Sequence, residues 1–485
     1  MCYCNFNPKR SASLLILASL LYQPLYAQTK KKSYKLVKTI TGQLSPKSIN
    51  NNGKNLYFAQ NMIYNHSVTV YDSAFNLVST INDKIKPSEY GFTKIKGSLT
   101  GGPVESAATK DGKYVWVSNY NMTGTGFANP GCDTCKGKGY DQSFIYKINT
   151  QTFKIENIVE VGSVPKYLAI SPDQKKLLVS NWTSGNISII SLDSEKEVKR
   201  VYVGTAPRGI AFDSTSTMAY IAVMGGNKIV SLNLQTFTPS TLVSRVKNPR
   251  HLCIDKNYLY ASLNGEGAIC RINLIDTTIK KLTIGKEPRS MVISGVKNKL
   301  FVDCYEERKI AIIDLNTFKV ETELNTGKYP IGICLSNDGS KILVSCYVGF
   351  IQVFAETETA DKKANSVIAS APQKETVKPS QPVASEEKKT TPEITAEAPD
   401  HEFTSKFTDN KNAGNYYIVL GSFSVKENAL NFKNKLLQKG ISIELIDNKG
   451  GLTYCAFRAS NKEASDELMA KLETITGIKG WVYQI

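Results

Sequence analysis

"VGSVPKYLAISPDQKKLLVSNWTSGNISIISL", residues 161–192, returns in altered form as "VGTAPRGIAFDSTSTMAYIAVMGGNKIVSLNL" from Val203 and "TGKYPIGICLSNDGSKILVSCYVGFIQVFA" from Thr326. Each copy runs Gly-x-x-Pro, an apolar strand, an Asp or Asn turn, a second apolar strand, a small-residue turn and a third, alternating strand. The marking prolines are Pro46, Pro103, Pro165, Pro207, Pro249, Pro288 and Pro330, separated by 57, 62, 42, 42, 39 and 42 residues. Units of about forty residues with four short strands each cannot bury both faces of their sheets alone. They must stack radially until a ring closes, as in a seven-bladed β-propeller. The seventh unit has three strands and then loses its apolar pattern at "ETETADKKANS". The N-terminal "YKLVKTI", residues 34–40, reads as an outer strand with no unit of its own, and it supplies the missing fourth strand.

The second strands "VWVSNY", residues 115–120, and "LLVSNW", residues 177–182, resemble the motif that names the YVTN family of β-propellers. The likeness covers residues 34–355. Propellers of this kind serve as binding scaffolds, and related seven-bladed rings include lactonases, so the resemblance implies a fold rather than an activity.

Ahead of the ring, Lys9 and Arg10 precede the apolar run "SASLLILASLLYQPLYA", which ends at Ala27. It is too short to span a bilayer and reads as a signal peptide, residues 1–27, which implies export to the periplasm or cell envelope with no transmembrane segment after cleavage. Eight cysteines follow it, scattered rather than set in a framework. Cys253, Cys270 and Cys334 fall within strand-like runs and read as small buried hydrophobes. The net charge of +17 is concentrated between residues 34 and 355. It favours anionic partners, but the lysines are dispersed and no dense basic block interleaves with aromatics, so nucleic acid is not the expected partner.

A long insertion follows "VWVSNY" and contains "CDTCKGKG", residues 132–139, a Cys-x-x-Cys-x-Gly-x-Gly form found in several copies in zinc-binding chaperone domains. One copy offers two of four metal ligands, which leaves a local disulfide between Cys132 and Cys135, free thiols, or a metal or redox role open. The three histidines, His66, His251 and His401, form no Ser-His-Asp or metal constellation, so no catalytic residue, metal or cofactor is assigned. Asp111, Asp173, Asp213, Asp255 and Asp338 recur at the turn between first and second strands, where a side chain caps the turn. Arg208, Arg250 and Arg289 follow three successive motif prolines and could line a basic, anion-binding arc on one face.

Residues 356–412, with "APQKETVKPSQPVASEEKKTTPEITAEAPD", lack the apolar content to fold and read as a disordered tether. From residue 413 to 485 a βαββαβ pattern returns, a small α+β, ferredoxin-like domain. "YIVLGSF" at 417–423, "KENALNFKNKL", "TYCAFRAS" and Trp481 resemble the SPOR domain, the sporulation-related repeat. The resemblance implies binding of peptidoglycan glycan strands stripped of stem peptides. By position it gives Ser422 to sugar hydroxyls and Trp481 and Tyr454 to stacking on pyranose rings, beside Gly421 and Phe423. Val419 stands where the family often has glutamine. The reading is therefore a wall-binding envelope protein whose propeller takes an envelope protein or small ligand. The alternatives are a wall-tethered, lactonase-like hydrolase and an anion- or nucleic-acid-binding propeller.

Overall fold

The protein is described here by a computed structural model covering residues 32–63, 66–358, 416–423, 426–437, 441–447, 453–459, 466, 468–469, 472–473 and 481–484. The signal-peptide reading, most of the tether and most of the second C-terminal helix lie outside the described residues. The chain divides into two compact units, split after Ala364.

The larger unit contains seven four-stranded antiparallel sheets. Blades 1 to 6 each take four strands in chain order, beginning with Pro46–Asn51, Pro103–Ala108, Pro165–Ile170, Pro207–Phe212, Pro249–Asp255 and Pro288–Ser294, and in blade 2 the short strand Thr123–Gly124, which pairs with Leu99–Thr100, interrupts the series. These first strands are innermost, and each neighbours the first strands of the blades on either side, blade 7 meeting blade 1. Every marking proline is the first residue of an inner strand, where no ladder donor is needed.

Blade 7 combines Pro330–Leu335, Lys341–Cys346 and Phe350–Glu358 with the N-terminal strand Lys32–Ile40, paired antiparallel from Lys32 opposite Glu358 to Ile40 opposite Ile351. Its third strand runs three residues past the boundary expected from sequence. The Ser33 and Thr357 hydroxyls lie 3.1 Å apart, and Lys297 of blade 6 is 3.0 Å from both the Tyr34 hydroxyl and the Glu356 carboxylate.

The apolar core lies between the blades rather than at the centre. Seven buried clusters are each shared by two adjacent blades: Trp116, Ile145 and Val161 of blade 2 meet Leu168, Leu177 and Val179 of blade 3, and Ile49, Tyr57 and Phe75 of blade 1 meet Leu343, Ile351 and Val353 of blade 7. Second and third strands are buried on both faces and therefore read as near-continuous apolar runs; outer strands such as Lys196–Tyr202 show water one side. Four of the five recurring aspartates cap the turn after the inner strand: Asp111, Asp173, Asp213 and Asp338 accept from backbone N–H groups at 2.9–3.1 Å. Asp255 departs from the expectation. It ends its strand opposite Tyr258 across a two-residue turn too short to need a cap.

The smaller unit has one antiparallel sheet, in the order Glu444–Asp447, Thr453–Ala459, Tyr416–Phe423, Trp481–Gln484. The helix Lys426–Leu437 packs on one face, where Ala429 and Leu436 join Ile418, Leu420, Cys455, Leu468 and Leu472.

Closure by Lys32–Ile40 rests on ladder hydrogen bonds, each contributing about 0.5–1.5 kcal/mol, and on the packing of Tyr34 and Ile40 against the clusters flanking blade 7, while Leu36 and Val37 are exposed. Removing residues 32–40 should lower the thermal midpoint of the propeller by at least ~5 °C and broaden the transition, as read by circular dichroism. An unchanged melt would show that blade 7 is stable with three strands.

Candidate functional site

The inner strands share a kink. In all seven, the register against the second strand slips immediately after the proline, a bulge that turns the next side chains toward the central channel. In blades 2, 5 and 6 the slip takes the N–H two residues after the proline out of the ladder, and a side chain from the second strand takes it up. Glu105 N–H donates to Ser118 Oγ at 3.3 Å, His251 N–H to Ser262 Oγ at 3.0 Å, and Ser290 N–H to Asp303 Oδ1 at 2.7 Å. The serine of the "VSN" pattern is therefore a brace for the bulge. In blades 3 to 7 the residue before the proline, Val164, Ala206, Asn248, Glu287 or Tyr329, holds a positive φ, a strain of roughly 1–2 kcal/mol per residue at the channel mouth.

The residue after the proline is cationic in five of seven blades: Lys47, Lys166, Arg208, Arg250 and Arg289, against Val104 and Ile331. The three arginines singled out in the sequence thus gather with two lysines inside the channel, largely out of solvent, rather than on an open face. Two of the five cations are well paired. Lys166 bonds Asp133 at 2.6 Å and lies over the rings of Tyr120 and Trp182, and Arg289 bonds Glu287 at 2.8 Å and stacks on Tyr305 at 3.5 Å. Lys47 and Arg208 share Glu105, with Lys47 Nζ and Arg208 Nη2 each 3.9 Å from the same carboxylate oxygen, and Arg250 has no carboxylate of the described residues that close. Burial, then Arg208, pushes the Lys47 ammonium well below its usual range. Burial raises Glu105, opposed by Lys47 and Arg208, and pushes Asp303 to about 7.

One residue further along, Tyr167 of blade 3 reaches past Gly209 of blade 4 to His251 of blade 5, with its hydroxyl 3.0 Å from Nε2. Met291 N–H donates to His251 Nδ1 at 3.1 Å, which leaves the ring proton on Nε2 to be donated to the tyrosine. Burial, then Arg208 and Arg250, hold this imidazole down at about 3, so it is a neutral brace. A Cβ at Gly209 would stand 2.7 Å from the Arg250 carbonyl, and only glycine fits this approach of inner strands.

The blade 2 insertion meets the channel at the same end. Cys132 and Cys135 are disulfide-bonded, the first of the three readings left open by the sequence. The short loop they close presents Asp133, whose carboxylate accepts from Lys166 and, at 3.0 Å, from the Tyr120 hydroxyl, while its carbonyl accepts from Trp182 Nε1 at 3.0 Å. Burial would raise this carboxyl, but Lys166 outweighs it and holds the group below its usual value.

In the smaller unit, the sheet face away from the helix gathers Tyr417, Val419, Ala456, Ile446, Tyr454 and Tyr483. Tyr454 and Tyr483 pack edge to face with ring centroids 5.0 Å apart, and Arg458 donates to the Tyr417 hydroxyl at 2.7 Å. Ser422 is exposed beside the register slip at Gly421, and Val419 is fully buried beneath the tyrosines. Trp481 opens the last strand opposite Val419; its side chain and that of Phe423 lie outside the described residues. The sequence reading missed Tyr417, Tyr483 and Arg458, although alternation from Val419 and Trp481 puts both tyrosines on this face.

Residues 412–484 match the family model of the SPOR domain, and residues 47–201 match that of the lactonase, 7-bladed beta-propeller. The chain joins a lactonase-type seven-bladed β-propeller to a SPOR domain. Antigen Lp49 of Leptospira interrogans (serogroup Icterohaemorrhagiae, serovar copenhageni, strain Fiocruz L1-130) is 22% identical over 231 residues, 42% of this chain and 50% of the relative. The match therefore spans about half the length of that curated protein. A chain of Kuenenia stuttgartiensis hydrazine synthase superposes with a TM-score of 0.51 at 15% identity, covering 66% of this chain and 97% of the other, a likeness of fold. SPOR domains occur in cell-envelope proteins and imply peptidoglycan binding, and the propeller implies a scaffold. Among the described residues no helix is long and apolar enough to cross a membrane.

The raised carboxyl at Asp303 has a pH signature. Between its unfolded pKa of 3.8 and about 7 the folded chain holds a proton that the unfolded chain releases, so stability falls as pH rises through that window. Asp303→Asn keeps the acceptor for Ser290 N–H and should flatten the fall in thermal midpoint between pH 5 and pH 8. Asp83, also pushed to about 7 by burial, keeps part of the slope. Equal slopes in the two proteins would mean that Asp303 is ionised throughout.

Proposed function

We propose that the protein is exported to the cell envelope, where its SPOR domain docks on glycan strands of peptidoglycan stripped of their stem peptides while the propeller displays a binding surface to another envelope component. The observation that carries this reading is the SPOR match over residues 412–484 together with the tyrosine-rich sheet face it contains. Pyranose rings present C–H faces that pack on aromatic planes, and their hydroxyl and acetamido groups need donors and acceptors at the edges. Tyr454 and Tyr483 supply rings, Ser422 an exposed hydroxyl, and Arg458 a guanidinium beside Tyr417. Val419, buried beneath them, supports the face rather than touching sugar. The leader ending at Ala27 and the tether of residues 356–412 accord with a module anchored to the wall.

Isolated sacculi test the reading. Residues 28–485 should be retained, more strongly after amidase stripping, and a chain stopped at residue 412 should wash off. Y454A with Y483A should weaken retention about tenfold, the loss of one or two ring contacts. Equal retention of the full and shortened chains would remove glycan docking from the account.

A further inference from the structure

Among the described residues, other cations that leave water are paired closely, as in Lys147 with Glu195 at 2.5 Å and, in the channel itself, Lys166 with Asp133 and Arg289 with Glu287. Three in the channel are not. Lys47 Nζ is buried without a hydrogen-bond partner among the described residues, and its side chain keeps 7% of its exposure. Arg208, at 6%, stands 3.9 Å from the oxygen that Lys47 shares. No carboxylate of the described residues lies within 4 Å of Arg250, and burial, then Arg208 and Arg289, depress its charged form. Facing these three cations are Glu105 and Asp303, and Asp303 Oδ2 is itself buried and unpartnered. An uncompensated buried charge is strongly destabilising, so three clustered cations, two on one carboxylate and the third on none, would be selected against if packing alone decided the channel.

We propose that the mouth of the propeller channel binds a small organic anion carrying two or more carboxylate or phosphate groups, held by Lys47, Arg208 and Arg250. Lys47 and Arg208, from blades 1 and 4, converge on one oxygen of Glu105, whereas Arg250, from blade 5, has no carboxylate of the described residues within 4 Å, so one anionic group beside Arg250 and a second near Lys47 and Arg208 would complete the pairing. Flat walls stand at the same mouth: Tyr305 stacked on Tyr329 at 4.8 Å, and Tyr120 with Trp182 around Lys166. They favour an occupant with a ring or a planar skeleton. Glu105 inside the cluster, and Asp133 held over the mouth by the disulfide loop, are internal anions that oppose an incoming one. The assignment is independent of glycan docking by the SPOR domain.

Isothermal titration of the full chain with citrate and with pyrophosphate, against sodium chloride at matched ionic strength, tests the proposal. At least one probe should bind saturably at one site per chain. Citrate alone would identify carboxylate recognition, pyrophosphate alone phosphate recognition. R250Q should weaken that binding tenfold or more while raising the thermal midpoint of the ligand-free protein, because it relieves like-charge repulsion. D133N, at a largely exposed side chain, should strengthen binding about threefold. Absence of saturable binding by both probes would overturn the proposal. Unchanged binding by R250Q, or a lowered midpoint in R250Q, would do the same, since either would make the cations a structural network.

Discussion

Each blade is apolar on both faces, and a four-stranded sheet of this length has nothing inside itself to cover either one. Everything else in the propeller follows from that need for neighbours. The apolar area is distributed into seven inter-blade layers, so the closure of the ring decides whether the last two faces are covered or left in water. The same distribution frees the centre from any duty as a core. The channel can therefore hold polar and charged side chains, which the buried middle of a two-layer domain would reject.

The channel's chemistry is set by a backbone irregularity repeated seven times. Proline opens each inner strand and the register slips after it, and in blades 2, 5 and 6 a second-strand side chain takes up the displaced N–H. That arrangement lets a blade change the residue after its proline without disturbing its ladder. The position is consequently permissive, and in this chain five blades fill it with a cation. Blade 6 also replaces the bracing serine with Asp303, which does the same hydrogen-bonding work while adding an ionisable group.

The sequence displayed the ring well because its signals are local and repeated: the proline spacing, the paired apolar runs and the orphan strand at residues 34–40. The two-domain division was equally plain from the loss of apolar residues after Ala355. The channel was half legible. Arg208, Arg250 and Arg289 stood out as the same residue type in successive repeats, whereas Lys47 lies in a unit stretched to 57 residues and Lys166, in a unit of ordinary length, breaks the run of arginines. Asp133 could not be found at all by pattern, since it reaches Lys166 across 33 residues through a loop with no repeat of its own. In the SPOR domain the family motif pointed to Ser422, Tyr454 and Trp481, while Tyr417 and Tyr483 needed the strand pairing to show which face they share.

The strand Lys32–Ile40 leaves the ribosome early, and its partner, Phe350–Glu358, is made more than three hundred residues later. Blade pairs can form in the meantime, but the circle has no finished state until both ends of the ring are available, and joining them closes a loop of that length. The growing polypeptide thus stays short of its final compactness throughout synthesis of the first six sectors. A terminal clasp of this kind works as a timer: it delays the point of no return until the whole ring exists.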